Sequence, residues 1–223
     1  MNLPKTEDCV HLINVAFRVP ANIVNHSIQV NRLAVFIANK LNEKGEKVNI
    51  DLVDKASILH DMLKIVEIYN PLSIFKPPGK EDIMVISKED RIRWAELKEK
   101  YGSMKHEEAA YTVLNENFPE LALVIRKHGY QLPKGDLTLN TWEEKLIFYS
   151  DKRVMHSDIV SLKERLKDGH LRYAEKNKLI GVDQEKQDKI DNFIFDLEKQ
   201  IFNKLDFGPD EVLTMIEGAE KHE

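Results

Sequence analysis

Apolar residues recur at intervals of three and four along almost the whole chain, which is the spacing of one face of an α-helix. No convincing run of alternating apolar and polar residues, as a strand would require, competes with this pattern. Glycines, prolines and capping residues divide it into segments. The predicted helices cover residues 7–17, 21–45, 52 to just beyond 61, 88–101, 103–117, 120–127, 142–155, 158–177, 183–205 and 209–219, with a proline-rich loop at 70–79. The pattern therefore predicts an all-α fold.

Composition narrows the class of protein. A chain of 223 residues suits one domain, with or without a subdomain, and 42% hydrophobic with 32% charged residues is typical of a globular protein. The net charge of −5 argues against a nucleic-acid coat role and against binding to anionic membranes. A phosphorylated small molecule remains a suitable ligand, because a bound metal outweighs the global charge locally.

Cys9 is the only cysteine, so neither an intramolecular disulfide nor a thiolate zinc cluster is expected. The N-terminal residues lack the basic-then-apolar pattern of a signal peptide. No apolar stretch approaches the ~20 residues of a membrane span. The expected location is cytoplasmic.

Several histidines and aspartates are flanked by apolar positions, where an unsatisfied polar group costs free energy once it is buried. They lie on separate predicted helices or at helix ends, apart from one adjacent pair. They are His26, His60, Asp61, His106, His128 and Asp151. Imidazole and carboxylate together suit a divalent transition ion, and one shared metal centre would satisfy all six.

Each of these residues has a simpler interpretation when it is taken alone. A single histidine is more often a hydrogen-bonded or solvated side chain than a ligand, and Asp61 or Asp151 can cap a helix or form an ion pair. The joint pattern is harder to explain in this way. The remaining histidines lie in polar or terminal contexts and are interpreted as solvated: His11, His156, His170 and His222.

The order His, His-Asp, His, His, Asp over residues 22–158 resembles the HD-domain superfamily of metal-dependent phosphohydrolases. Four segments are similar to its motifs: HDMLK at 60–64, HEEAA at 106–110, VIRKHG at 124–129 and YSDK at 149–152. Two positions depart from the usual pattern, since Leu63 replaces a common glycine and His128 stands where two histidines are frequent.

The resemblance implies an HD-domain-like helical bundle with additional C-terminal helices. Residues 1–158, with an insertion at 65–103, would form the catalytic domain, and residues 159–223 a helical extension that packs on it. The apolar stripe of this extension is alternatively a homodimer interface. The insertion would be either a lid over the ligand or a solvated face.

The resemblance also assigns roles to the site residues. The core metal ligands would be His26, His60, Asp61 and Asp151. His106 and His128 would be the extra pair found in two-metal members, with Asp61 bridging the ions. The cofactor would be one or two divalent transition ions, namely Mn, Fe, Co, Ni or Zn.

The implied reaction is hydrolysis of a phosphoester or phosphoanhydride bond in a nucleotide-like small molecule by a metal-activated water. Asp61 and Lys64 are the candidate catalytic residues. Lys64 follows Asp61 by three residues and would share its helix face, although a lysine near a helix C-terminus is also favoured by the dipole. The candidate substrate-binding residues are Lys64, Lys127, Lys152 and Arg153. Two alternatives remain: a metal- and nucleotide-binding sensor without turnover, and a di-iron oxygenase on the same fold.

Overall fold

The computed structural model describes residues 1–68, 86–179 and 184–221, and the predicted loop at 70–79 lies outside them. Within these residues the fold is all-α, as predicted. The helices are α1 (Thr6–His11), α2 (Ala21–Glu43), α3 (Ile50–Leu59), α4 (Lys88–Tyr101), α5 (His106–Leu114), α6 (Pro119–Arg126), α7 (Trp142–Asp151), α8 (Leu162–Leu179), α9 (Gln184–Phe202) and α10 (Val212–Glu220). A π-helical turn (Leu12–Ala16) extends α1, and 3-10 turns lie at Lys64–Glu67 and Gly135–Leu137.

Helix α2 lies at the centre of the core and packs against α3 and α7. One stripe of this helix is fully buried, with side chains at Val30, Leu33, Ala34, Ile37 and Leu41. Their spacing of one, three or four residues places them on one face, which is why α2 forms here and how it is oriented. The three packed helices hold His26, His60 and Asp151 on neighbouring elements.

Helix α3 differs from its prediction at both ends. Its cap is Asn49 rather than Asp51, because the Asn49 side chain accepts the backbone N–H of Leu52 at 3.0 Å. The helix ends at Leu59, so the His60-Asp61 pair lies at the cap and in the following turn instead of inside the helix.

The segment after α7 also differs from its prediction. The helix ends at Asp151 instead of continuing to Met155. Strand β1 (Val154–Met155) then pairs antiparallel with β2 (Asp158–Ile159) in a short hairpin. His156 lies in its turn with a left-handed backbone, at φ +58°. Strands of two residues are too short to show alternation in a sequence.

Helix α9, in the predicted C-terminal extension, contacts α7 through both apolar and polar groups. Tyr149 donates a hydrogen bond to Glu198 at 2.6 Å, and Arg153 forms an ion pair with Glu198 at 3.0 Å. The rings of Phe148 and Phe193 meet edge-on with centroids 5.8 Å apart.

The domain division at residue 158 and the homodimer interface stay predictions. Among the described residues, no helix combines the length and hydropathy that crossing a membrane requires.

Replacement of Ile194 by alanine tests how firmly α9 is held. Ile194 is fully buried, so Ile194→Ala should lower the free energy of unfolding by about 2–5 kcal/mol. The matched control is Ile92→Ala on α4, where the side chain is 51% exposed, and the expected change is within about 0.5 kcal/mol. Urea denaturation followed by circular dichroism measures both. Equal effects of the two substitutions would contradict the packing of α9.

Candidate metal centre

The six predicted ligands come together in the folded chain, each from a different helix or helix end apart from the adjacent pair. They form two groups in which the candidate ligand atoms lie within 4.8 Å of one another. The groups share one residue, Asp61. The first group is His26, His60, Asp61 and Asp151, and the second is Asp61, His106 and His128.

The two oxygens of the Asp61 carboxylate divide between the groups. Oδ2 lies 3.7 Å from His60 Nε2 on the side of the first group. Oδ1 lies 2.9 Å from His106 Nε2 and 3.5 Å from His128 Nε2 on the side of the second. This arrangement would allow one carboxylate to bridge two cations.

His60 and His128 are oriented in the same way by the helices that precede them. The last carbonyls of a helix lack a helical donor. His60 Nδ1 donates to the Ser57 carbonyl at 2.6 Å at the end of α3, and His128 Nδ1 donates to the Ile125 carbonyl at 2.5 Å after α6. Because a carbonyl only accepts, the hydrogen resides on Nδ1, and each Nε2 presents its lone pair to the cluster.

His26 and His106 also engage Nδ1 outside the cluster. His26 Nδ1 donates to the His156 carbonyl in the hairpin turn at 3.0 Å, and its Nε2 lies 3.0 Å from Asp151 Oδ1. His106 Nδ1 donates to the Glu67 carboxylate at 2.6 Å. All four Nε2 atoms are therefore directed to the site, an orientation typical of histidine ligands with a fixed outer partner.

The donor set fits a divalent transition ion. His60 is fully buried, and its Nε2 has no hydrogen-bond partner among the described residues, which costs free energy unless a cation or proton satisfies it. It lies 3.7 Å from oxygens of both Asp61 and Asp151, too far for hydrogen bonds. Mixed imidazole and carboxylate ligands match the preferences of Mn, Fe, Co, Ni and Zn.

The electrostatics of the cluster keep both aspartates ionised. Burial raises the pKa of each carboxyl, but nearby cations and histidines outweigh it and hold the pKa well below its usual range. Lys64 is the main charge partner of Asp61, and Lys152 is that of Asp151. Burial lowers the pKa of His128 to about 4, so this ligand is neutral at physiological pH.

Lys64 lies at the rim of the cluster, with 32% of its side chain exposed. Its Nζ lies 3.4 Å from Asp61 Oδ1 and 3.1 Å from His106 Nε2. The side chains of Lys64, His26 and Asp151 are partly exposed, whereas that of His60 is fully buried. The structure thus brings Lys64 to the accessible side of the candidate metal centre.

Lys152 lies against the cluster but is buried. Its Nζ donates to Asp151 Oδ2 at 2.9 Å and to the His128 carbonyl, and lies over the Phe148 ring at 4.4 Å. These contacts stabilise two ligands from behind. The substrate-binding role of Lys152 stays a prediction.

The other two predicted substrate-binding residues have partners outside the cluster. Buried Lys127 donates to Glu144 at 2.6 Å and to the Thr138 carbonyl at 2.8 Å. Arg153 donates to Glu198, to Tyr149 and to the backbone carbonyls of Val160 and Pro209. These bonds hold both side chains to residues outside the candidate metal centre, and the substrate-binding role of each stays a prediction.

Two acidic residues at the site were missed in the sequence. They are Glu67, whose carboxylate accepts from His106 Nδ1, and Glu107, whose Oε2 lies 3.1 Å from the same nitrogen. Glu107 directly follows a predicted ligand, which was a usable signal. Glu67 follows Asp61 by six residues through a 3-10 turn, a relation that helical periodicity does not reveal. His156, interpreted as solvated, has an exposed side chain, but its backbone carbonyl orients His26.

Comparison with known proteins identifies the family. The HD-domain family model matches residues 23–161, which is more than half of the chain and includes all six residues of the cluster. No curated protein and no solved structure gives a significant match. The match spans α2 to the hairpin, the elements that build the cluster. The chain therefore belongs to the HD-domain superfamily of metal-dependent phosphohydrolases.

Proposed function

We propose that the protein is a metal-dependent phosphohydrolase that cleaves a phosphoester or phosphoanhydride bond of a nucleotide-like small molecule. The observation that carries the proposal is the convergence of four histidine Nε2 atoms on two carboxylates, one of which faces both groups. Burial of these polar and charged side chains costs free energy unless bound cations neutralise the carboxylates. Membership of the HD-domain superfamily supports the reaction class, and the nucleotide-like substrate rests on that relationship alone.

The ions would be held by His26, His60, Asp61 and Asp151 on one side, and by Asp61, His106 and His128 on the other. Divalent ions supply a water nucleophile at neutral pH and offset the charge that develops on phosphoryl oxygens. The carboxylate of Asp61 is ionised and faces both groups. The hydrogen bonds that Nδ1 donates hold the imidazole rings of His60 and His128 in place.

Lys64 is the proposed contact to the substrate phosphate. Its ammonium rests between Asp61 and His106, at the partly exposed side of the cluster. Since that position is close to the ligand atoms of the second group, the ammonium must move outward when a cation binds there. Outward movement would direct it to the side from which an anionic ligand enters.

Chelation and removal of ligands test the metal requirement. Chelation should abolish phosphate release, and His60→Ala or Asp61→Ala should reduce it to the level of the chelated protein, because each removes a ligand from the buried centre. Metal analysis of the metal-replete wild type should find at least about one transition ion per chain. The control is His11→Ala, an exposed histidine outside the cluster, with unchanged activity and metal content. A metal content well below one ion per chain would contradict the proposal.

A substrate screen separates the enzyme from the two alternatives. The metal-loaded protein is incubated with nucleotides, dinucleoside polyphosphates and cyclic dinucleotides, and phosphate or nucleotide products are measured. Turnover of at least one of these supports the proposal. Tight binding of one compound without any turnover would identify a sensor, and oxygen consumption by the iron-loaded protein would identify an oxygenase.

Replacement of Lys64 by methionine tests its proposed contact. Lys64→Met should lower kcat by about 10²–10³, the loss typical of a single transition-state donor. The affinity for a cation at the Asp61–His106–His128 group should rise, because a competing ammonium is removed. Steady-state kinetics and calorimetric metal titration measure the two effects.

The matched control for Lys64 is Lys199→Met, an exposed lysine paired with Asp196 on α9, which should change neither quantity. Unchanged kcat in Lys64→Met would exclude the phosphate contact.

A further inference from the structure

His106 differs from the other three histidines in the partner of its Nδ1 atom. The other three donate to backbone carbonyls, whereas His106 donates to a carboxylate, Glu67 Oε1, at 2.6 Å. A second carboxylate oxygen, Glu107 Oε2, lies 3.1 Å from the same nitrogen. Among the residues that the structure describes, therefore, the second group alone has negative charge directly behind one of its histidines.

Glu67 holds both the ring and the backbone of His106. The same oxygen that accepts from Nδ1 also accepts the backbone N–H of His106 at 2.6 Å. This N–H belongs to the first residue of α5, where a helix has no internal acceptor for it and where negative charge is favoured. Two bonds to one oxygen fix the start of α5 and the direction of the imidazole together.

The position of Glu67 follows from the turn after the His60-Asp61 pair. The 3-10 turn Lys64–Glu67 begins with the backbone N–H of Lys64 donating to the Asp61 carbonyl at 2.9 Å. It ends at Glu67, which reaches α5. One short turn thus connects a shared ligand, Asp61, to the orientation of a second ligand, His106.

A third cation site is the competing explanation, since Glu67, His106 and Glu107 also offer atoms within 4.8 Å of one another. The separation of 2.6 Å between Glu67 Oε1 and His106 Nδ1 is that of a direct hydrogen bond with a proton between the atoms. Moreover, Lys105 Nζ lies 3.8 Å from Glu107 and partly balances its charge. These contacts favour a positioning role.

We infer that Glu67, assisted by Glu107, is the positioning residue of His106 and selectively strengthens cation binding at the Asp61–His106–His128 group. It keeps Nε2 directed to Asp61 and adds negative charge to the ring, which makes the imidazole a stronger ligand. The inference rests on the metal centre of the proposed function, but it requires only cation binding and no turnover.

The test is calorimetric titration of the chelator-treated, full-length protein with Co²⁺ alone. His26→Ala and His128→Ala assign the binding events to the first and second groups. Glu67→Ala should weaken Co²⁺ binding at the second group by about 10- to 100-fold and leave the first group unchanged. Glu67→Gln keeps a carbonyl acceptor without the charge, so it should weaken Co²⁺ binding at the second group less than Glu67→Ala does.

Glu143 provides the matched control, because its Oε1 also accepts a backbone N–H near the start of a helix, that of Asn49 at 2.6 Å. Glu143→Ala should leave Co²⁺ binding at both groups unchanged. Equal weakening of both groups by Glu67→Ala would overturn the inference in favour of a general structural role. A third Co²⁺ ion in the wild type that both Glu67→Ala and Glu107→Ala remove would also overturn it. Selective weakening in a protein that hydrolyses no phosphate compound supports this inference while the proposed function fails.

Discussion

The structure of the metal centre depends on four imidazole Nδ1–H groups, each of which requires a fixed acceptor. For His60 and His128, the acceptor is a carbonyl in the last turn of an apolar helix, and the Ile125 carbonyl also accepts the backbone N–H of His128 at 3.2 Å. The histidine satisfies the helix end, and the helix end fixes the direction of the opposite nitrogen. The positions at which α3 and α6 terminate therefore determine where the two lone pairs meet.

The buried ammonium of Lys152 connects the two halves of this centre. It donates to the side chain of Asp151, a candidate ligand of the first group, and to the backbone carbonyl of His128, a candidate ligand of the second. Burial lowers the pKa of Lys152, and the adjacent carboxylate opposes this effect. An ammonium held in this way fixes the geometry of both residues and is buried, whereas the side chain of Lys64 is partly exposed.

Helices of several turns and the residues that cluster were predictable from the sequence, whereas the short turns, the hairpin and the side-chain directions were not. The apolar stripe of α2 and the boundaries of α4 follow from periodicity and capping, and the order of histidines and aspartates indicated which residues would cluster. The turn that contains Asp61 and the two-residue strands of the hairpin lack a repeating pattern. The role of Glu67 depends on a 3-10 turn, and that of Lys127 on a side-chain direction, neither of which residue spacing specifies.

The two groups of the candidate metal centre differ in the charged side chains that surround them. The first group has two carboxylates among its candidate ligands and the ammonium of Lys152 behind them. The second has only the shared carboxylate of Asp61, and the ammonium of Lys64 opposes it. These charges alone favour a divalent cation less at the second group than at the first. The carboxylates of Glu67 and Glu107 behind His106 add negative charge beside the second group, whereas His26, His60 and His128 have backbone carbonyls as partners of Nδ1.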